Sequence, residues 1–329
     1  MQRKSRPRLK FGIVGVGHMG AYHLNVVSSL PSHELIGIYE VNPERAREMA
    51  ERYDTVAFES LESLFKEVEA VVIAVPTSWH YELARQALES GVHVLLEKPM
   101  TDSLEKAEAL ISLAAERGLV LQVGHVERFN GAVMELAKIV TNPRMIQSRR
   151  LSPYNGRVQD VGVVMDLLIH DLDIVLNLVK SPLKYYHAMG SRVISEHEDV
   201  AILNLEFENG CIASLTASRI SQLKDRSLQI LQDRSFINLN YINQDIEIHR
   251  QASAAYLMTP EEIKYSQESF VEKLYVHKDN PLKSEHLHFY ECIKEGARPI
   301  VSSEQDLQTL RIALECEKMI LEGRPCVWN

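Results

Sequence analysis

Short apolar runs alternate with stretches of helical period along the first third of the chain. Lys10-Phe11-Gly12-Ile13-Val14 reads as a strand, and a helical stretch from Ala21 to Leu30 follows a glycine-rich loop. Glu34-Leu35-Ile36-Gly37-Ile38-Tyr39 is the next strand. Asn42-Pro43-Glu44 then opens a helix, because it offers a capping side chain, a proline at the first helical position and an early acid. Val71-Val72-Ile73-Ala74-Val75 is continuously apolar, as a central parallel strand covered on both faces requires. Pro76-Thr77-Ser78-Trp79-His80 leads into a helix ending near Gly91. The strand Val92-His93-Val94-Leu95-Leu96, a helix across Leu104–Arg117 closed by Gly118, and a strand from Leu119 to Val123 complete the series. Repeated strand–helix units joined by right-handed crossovers predict a doubly wound parallel sheet.

The pattern changes after Gly124. The stretch from Asp160 to Val179 is apolar on nearly every side, which predicts a buried helix. Its exceptions, Asp166, His170, Asp173 and Asn177, follow i, i+4, i+7, i+11 and fall within roughly 60° of one another at about 100° per residue. Asp171 lies off this line. The seam is either a thin solvated face or a polar edge turned into a cleft, and its narrowness favours the cleft. Asp166 and His170, one turn apart, are placed to meet side chain to side chain. Farther on, the stretches 201–207, 211–218, 227–231 and 236–240 carry strand-forming residues, with turns at Glu208-Asn209-Gly210 and Gln232-Asp233. Consecutive short strands joined tightly predict an antiparallel sheet. Helices near 281–296 and 303–323 finish the chain.

Length and composition narrow the class. The 329 residues suggest two domains, and 45% hydrophobic with 25% charged residues is ordinary for a soluble globular protein. A formal net charge of −9 argues against non-specific nucleic-acid binding. Only Arg3, Lys4, Arg6, Arg8 and Lys10 are locally basic, and they read as a solvated leader. Cys211, Cys292, Cys316 and Cys326 have no CxxC spacing, so a reducing, cytoplasmic setting is expected. No apolar run reaches the ~20 residues that span a bilayer, so no membrane role is expected. His286 and His288 point apart on a helix, so with Cys292 they read as packing and not as a metal site.

The candidate chemistry gathers at strand ends. In Gly15-Val16-Gly17-His18-Met19-Gly20 the first glycine allows a tight turn, the second lets a pyrophosphate approach the backbone, and the third brings helix close to strand. The helix N-terminus then offers N–H groups and a positive dipole end to phosphates. Glu40 falls about 20 residues past Gly20, where an acid binds the ribose hydroxyls and disfavours the extra phosphate of NADP. FAD and S-adenosylmethionine proteins share these two features. Glu97-Lys98-Pro99 closes another strand at the edge where ligands bind. The proline fixes its own φ and allows a cis bond before it, which aims the lysine. Arg149, Arg150 and Arg157 flank Ser152-Pro153-Tyr154-Asn155-Gly156, a loop-like stretch whose guanidinium groups suit a diphosphate and whose Tyr154 suits a base; a solvated basic loop is the other reading.

Together the glycine loop, Glu97-Lys98-Pro99, and Asp166-Leu167-Leu168-Ile169-His170 followed by Asp173 resemble the Gfo/Idh/MocA family of oxidoreductases across nearly the whole chain. The resemblance implies an α/β architecture: an N-terminal Rossmann domain with a doubly wound parallel sheet, then a C-terminal α+β domain with an open, mainly antiparallel sheet. Residues 1–125 would form the NAD-binding domain and 126–329 the substrate-binding and oligomerisation domain, in a homodimer or homotetramer. The family's catalytic lysine, aspartate and histidine map onto Lys98, Asp166 and His170. Its cofactor contacts map onto Gly15, Gly17, His18, Met19 and Glu40, and onto Pro76, Thr77, His80, Glu97 and Lys98. Substrate contacts are expected at Arg128, Tyr154, Asn155 and Arg157, with Asp166 and His170.

Finer marks, the stretches 123–130 and 160–166, resemble members that oxidise the 3-hydroxyl of UDP-N-acetylglucosamine ahead of a pyridoxal-phosphate aminotransferase, as in lipid A synthesis. The reaction implied is hydride transfer from a secondary alcohol to NAD. Neutral His170 would be the base, oriented by Asp166, with Lys98 stabilising the alkoxide. An inositol or other sugar dehydrogenase of the family, and a non-enzymatic NAD-binding regulator, are the rival readings.

Overall fold

In the computed structural model, which describes residues 7–156, 160–258 and 263–322, two compact units each carry one sheet. Arg3, Lys4, Arg6, Arg157 and Cys326 lie outside the described residues. One unit comprises residues 1–129 and 280–314, and the other 130–279 and 315–329. The return of residues 280–314 to the first unit is not visible in the division at 125 and 126 expected from sequence.

The first unit alternates strictly: β1 (Leu9–Val14), α1 (His18–Ser29), β2 (His33–Tyr39), α2 (Pro43–Tyr53), β3 (Val56–Ala57), α3 (Leu61–Glu67), β4 (Ala70–Ile73), α4 (His80–Glu89), β5 (His93–Glu97), α5 (Leu104–Arg117) and β6 (Leu121–Gly124). All strand pairs are parallel, in the order β3-β2-β1-β4-β5-β6. The order reverses between β1 and β4, which opens a crevice beyond their carboxyl ends. Local chemistry sets the helix limits. The Asn42 side chain accepts the Glu44 and Arg45 N–H groups at the start of α2, and Gly118 ends α5 at φ 63°. The all-apolar β4 is fully buried, as its sequence requires.

The second unit contains α6 (Gly131–Ile139), β7 (Pro143–Leu151) and α7 (Ile169–Leu178), the last continuing from a π-helical turn over Val164–Leu168. Then come β8 (Leu183–Ser191), β9 (Val200–Phe207), β10 (Ile212–Ser218), β11 (Asp225–Gln232), β12 (Ser235–Asn240), β13 (Asp245–Met258) and β14 (Ile263–Leu274). The sheet order is β14-β13-β12-β11-β7-β10-β9-β8, antiparallel except for the parallel pair β7–β10. Residues alternate between a buried face (Leu203, Leu205, Ala213, Leu215, Leu228, Ile230) and a more exposed one. α7 packs on β7 and β10.

After the second unit's strands, α8 (Pro281–Lys294) rejoins the first unit, and α9 (Ser303–Glu322) follows. Phe289 and Tyr290 of α8 enter a core with Leu9, Phe11, Leu24 and Leu95. Among the described residues, no helix is long and apolar enough to cross a membrane.

Candidate active site

Three glycines shape the crevice of the first unit. Gly15 follows β1 with φ 84°, and a Cβ there would come within 2.5 Å of the Ala74 carbonyl oxygen. Gly20 lets α1 sit against the loop, since its Cβ would lie 1.9 Å from the Gly15 carbonyl oxygen. A Cβ on Gly17 meets nothing within 4 Å, so the backbone there fronts open space. α1 is capped by Gly17, which offers no side-chain cap, and its first N–H groups and dipole end suit an anion.

Gly15, Gly17, Glu40, Val41, Pro76 and Trp79 line one cavity of about 540 Å³. Glu40 is held in place there: Oε2 accepts the Val16 N–H at 2.9 Å, and Oε1 accepts the Asn42 N–H at 3.1 Å. An open glycine loop, a bare helix start and a fixed acid after the second strand fit a dinucleotide. His18 is exposed and Met19 half-buried at the head of the same helix, and Thr77 is half-buried in the turn Thr77–Trp79.

Two residues expected against the cofactor are turned inward. His80 is 1% exposed, with Nδ1 2.8 Å from the Pro99 carbonyl oxygen and Nε2 2.9 Å from that of Val75. Its ring ties the segments after β4 and β5 together. Glu97 is buried, with Oε1 2.9 Å from His23 Nε2, while Oε2 accepts the Lys98 N–H at 3.2 Å. Lys98 itself is half-buried, ahead of a cis bond to Pro99. Arg128, an expected substrate contact, is 4% exposed in the turn Val126–Phe129.

In the second unit, Asp166 and His170 are both half-buried on one continuous helical segment, and Asp173 is buried. The uniform α-helix expected over 160–179 is corrected here. The Ile169 N–H reaches the Val164 carbonyl, a five-residue step, so Asp166 lies inside a π turn. Such turns recur at functional sites. The start of this segment is anchored by residues the sequence reading passed over. Glu198 Oε1 accepts the Val164 N–H at 3.0 Å, and a Cβ on Gly162 would lie 1.9 Å from that oxygen. Arg219 donates to the Val161 carbonyl at 2.9 Å and to Asp199 at 2.8 Å. Glu198-Asp199 carried no periodic signal: Glu198 answers Val164 34 residues away, and Asp199 joins Arg219 to the Val193–Ser195 amides of its own loop.

Arg150, read as a loop cation for a diphosphate, is instead a buried residue of β7 that donates to Asp171 twice, at 3.0 and 2.9 Å. Arg149 is exposed on the same strand, 3.4 Å from Asp225. Tyr154 and Asn155 are exposed after β7.

Residues 9–125 match the model of an oxidoreductase family with an NAD-binding Rossmann fold, and residues 131–237 match the Gfo/Idh/MocA C-terminal domain. The chain is thus an oxidoreductase whose amino-terminal domain binds NAD. It belongs to the Gfo/Idh/MocA family. It is 35% identical over 246 residues to a UDP-N-acetylglucosamine 3-dehydrogenase of Acidithiobacillus ferrooxidans, spanning 74% of this chain and 78% of the relative. A solved structure of UDP-N-acetylglucosamine 3-dehydrogenase GnnA from that organism matches with a TM-score of 0.86 at 30% identity, covering 95% of this chain and 98% of the other. The scyllo-inositol 2-dehydrogenase (NAD(+)) of Bacillus subtilis is 24% identical over 341 residues, spanning 97% of this chain and 96% of the relative.

Proposed function

We propose that this protein is an NAD-dependent dehydrogenase that oxidises the 3-hydroxyl of UDP-N-acetylglucosamine to the 3-keto sugar. The observation that carries the reading is the presence of Lys98 at a ligand-edge strand end, and of Asp166 and His170 on one helix, in a chain 35% identical over 246 residues to an enzyme of that name. Oxidising a secondary alcohol removes a proton from oxygen and a hydride from carbon. Bound NAD supplies the hydride acceptor. The chain's own groups handle the oxygen. Lys98 donates to it and stabilises the negative charge that grows as its proton leaves. His170 takes that proton on its imidazole, and Asp166 orients the ring. Tyr154 and Asn155 contact the nucleotide. Glu40 receives the ribose hydroxyls and repels a 2′-phosphate, so NAD is used in preference to NADP. A ketone product suits a pyridoxal-phosphate aminotransferase next.

The test is NADH formation on mixing the protein with NAD and UDP-N-acetylglucosamine, with mass spectrometry of the product. Growth of NADH together with a sugar lighter by two hydrogens is expected. Turnover of inositol with silence on the nucleotide sugar would replace this reading with a polyol dehydrogenase. That alternative is favoured by the inositol relative's alignment over 97% of this chain.

A further inference from the structure

Glu97 is one of several polar side chains buried against a mainly apolar core. It is 7% exposed, while His23, Glu285 and His286 are all 0% exposed beside Leu9, Phe11, Leu95 and Phe289. Polar groups buried this deeply are costly unless they are bonded. Two contacts link Glu97, His23 and His286 in a line. His23 Nε2 lies 2.9 Å from Glu97 Oε1, and His23 Nδ1 lies 2.8 Å from His286 Nε2. The line continues past Glu97, whose second oxygen accepts the Lys98 amide at 3.2 Å. It therefore runs from α8 through α1 to the residue that ends β5.

The protons on this line are determined by its two ends. Burial alone would raise the Glu97 carboxyl, but its hydrogen bond and electrostatic attraction to His23, and after them the charge and amide of Lys98, outweigh it and hold the carboxyl below its ordinary value. A carboxylate only accepts, so His23 Nε2 carries a hydrogen. At the far end, His286 Nδ1 has no hydrogen-bond partner among the described residues. A buried N–H left unmade is rarer and costlier than a bare ring lone pair. His286 therefore keeps its hydrogen on Nε2 and donates it to His23 Nδ1. Burial pushes the His286 ring well below the ordinary histidine value, in keeping with a neutral ring. Glu285, next to His286, has no partner for either oxygen among the described residues, and burial followed by the Glu97 charge holds it well above the carboxylate range. His33 packs near His286, with ring centroids 5.6 Å apart, and the buried His80 is a further titratable group within the field of Glu97. Glu97 is then the lone negative charge of this cluster.

We propose that His286 and His23 are positioning residues: they donate in series to Glu97, which in turn holds the amide of Lys98, so the reacting lysine is fixed from inside the first unit by groups that never touch substrate. The inference rests on the role given to Lys98 above.

The first measurement is independent of activity. Ring-nitrogen NMR of the full chain at neutral pH is expected to show both His23 and His286 as neutral rings with hydrogen on Nε2. His286 with hydrogen on Nδ1, or a doubly protonated His23, overturns the proposal. The second compares His286→Leu, which keeps bulk but no donor, with His286→Gln, which keeps an N–H. Steady-state kinetics with NAD and the sugar are expected to show kcat about tenfold or more lower in His286→Leu, little change in KM for NAD, and recovery of most of that loss in His286→Gln. Equal kcat in all three proteins, or equal losses in both variants, overturns the proposal. Lys98→Met is assayed alongside: full turnover in that variant sinks the proposed function, while the NMR result still decides the hydrogen-bond chain.

Discussion

Glu97 in the first unit and Asp171 in the second are both buried acids, answered by different chemistry. Asp171 on α7 takes two parallel hydrogen bonds from Arg150 of β7, at 3.0 and 2.9 Å. The guanidinium carbon lies 4.9 Å from the centre of the Tyr241 ring. Arginine keeps its charge at any pH the fold survives, so this pair is a permanent clamp between strand and helix. Glu97 is answered by an imidazole and a backbone amide. Imidazoles change charge near neutral pH and fix their hydrogens by what surrounds them. The contrast separates two uses of a buried charge. One locks a helix to a sheet. The other holds the backbone of a neighbour, Lys98, to which the proposed function gives the reacting amine.

Breaking the clamp should give the largest effect. Arg150→Met leaves Asp171 buried beside an apolar side chain and is expected to cost about 3–5 kcal/mol of folding stability, read from the urea midpoint. Adding Asp171→Leu should recover most of that loss, because an apolar pair replaces a buried ion pair at little net cost. A single variant as stable as the parent would show that the pair holds nothing. On the other side of the comparison, Lys98→Met and His170→Ala should leave the urea midpoint near the parent's. Each is expected to lower turnover at least about 100-fold with NAD binding retained. Comparable turnover losses in folded Arg150→Met would erase the distinction between clamp and chemistry.

The same contrast explains what the sequence made legible. Gly15, Gly17, Gly20 and Glu40 were readable because their constraints are local: a turn, a close approach and a fixed offset along one strand–helix–strand unit. Lys98 was singled out as a candidate for the same reason, as the residue after a buried strand. Asp166 and His170 were singled out as members of a polar seam, but the π turn over Val164–Leu168 was not foreseen, because a 100° period assumes an uninterrupted α-helix. Arg150 was misplaced into a loop, since its partner sits 21 residues away on another element. The parallel pairing of β7 with β10 depends on contacts that no local period records. His23 and His286 are 263 residues apart, and either one alone reads as an ordinary helix residue.

A half-buried acid whose neighbour is another acid sharpens the comparison. Glu317 on α9 faces burial first and the charge of Glu198 second, and its carboxyl is pushed up to about 7. A raised acid favours the protonated form in the fold. Below about pH 4.5 the glutamate is protonated in both folded and unfolded chains, so it adds nothing to the pH dependence. Between about pH 4.5 and 7 the unfolded chain loses this proton first, so the folded state is progressively disfavoured, and above 7 the penalty is constant. Its ceiling is about 3.5 kcal/mol at about 1.4 kcal/mol per pH unit. Glu317→Gln keeps the shape and removes the titration. The variant should therefore melt with the parent at pH 4 and above it at pH 8, by an amount equivalent to about 1–3 kcal/mol. The pH window lies where Arg150 does not titrate, so the gain should persist in the Arg150→Met, Asp171→Leu background. A variant less stable by the same amount at both pH values would mean that the Glu317 carboxyl makes a bond the fold needs, and that an acid beside an acid is a third kind of clamp.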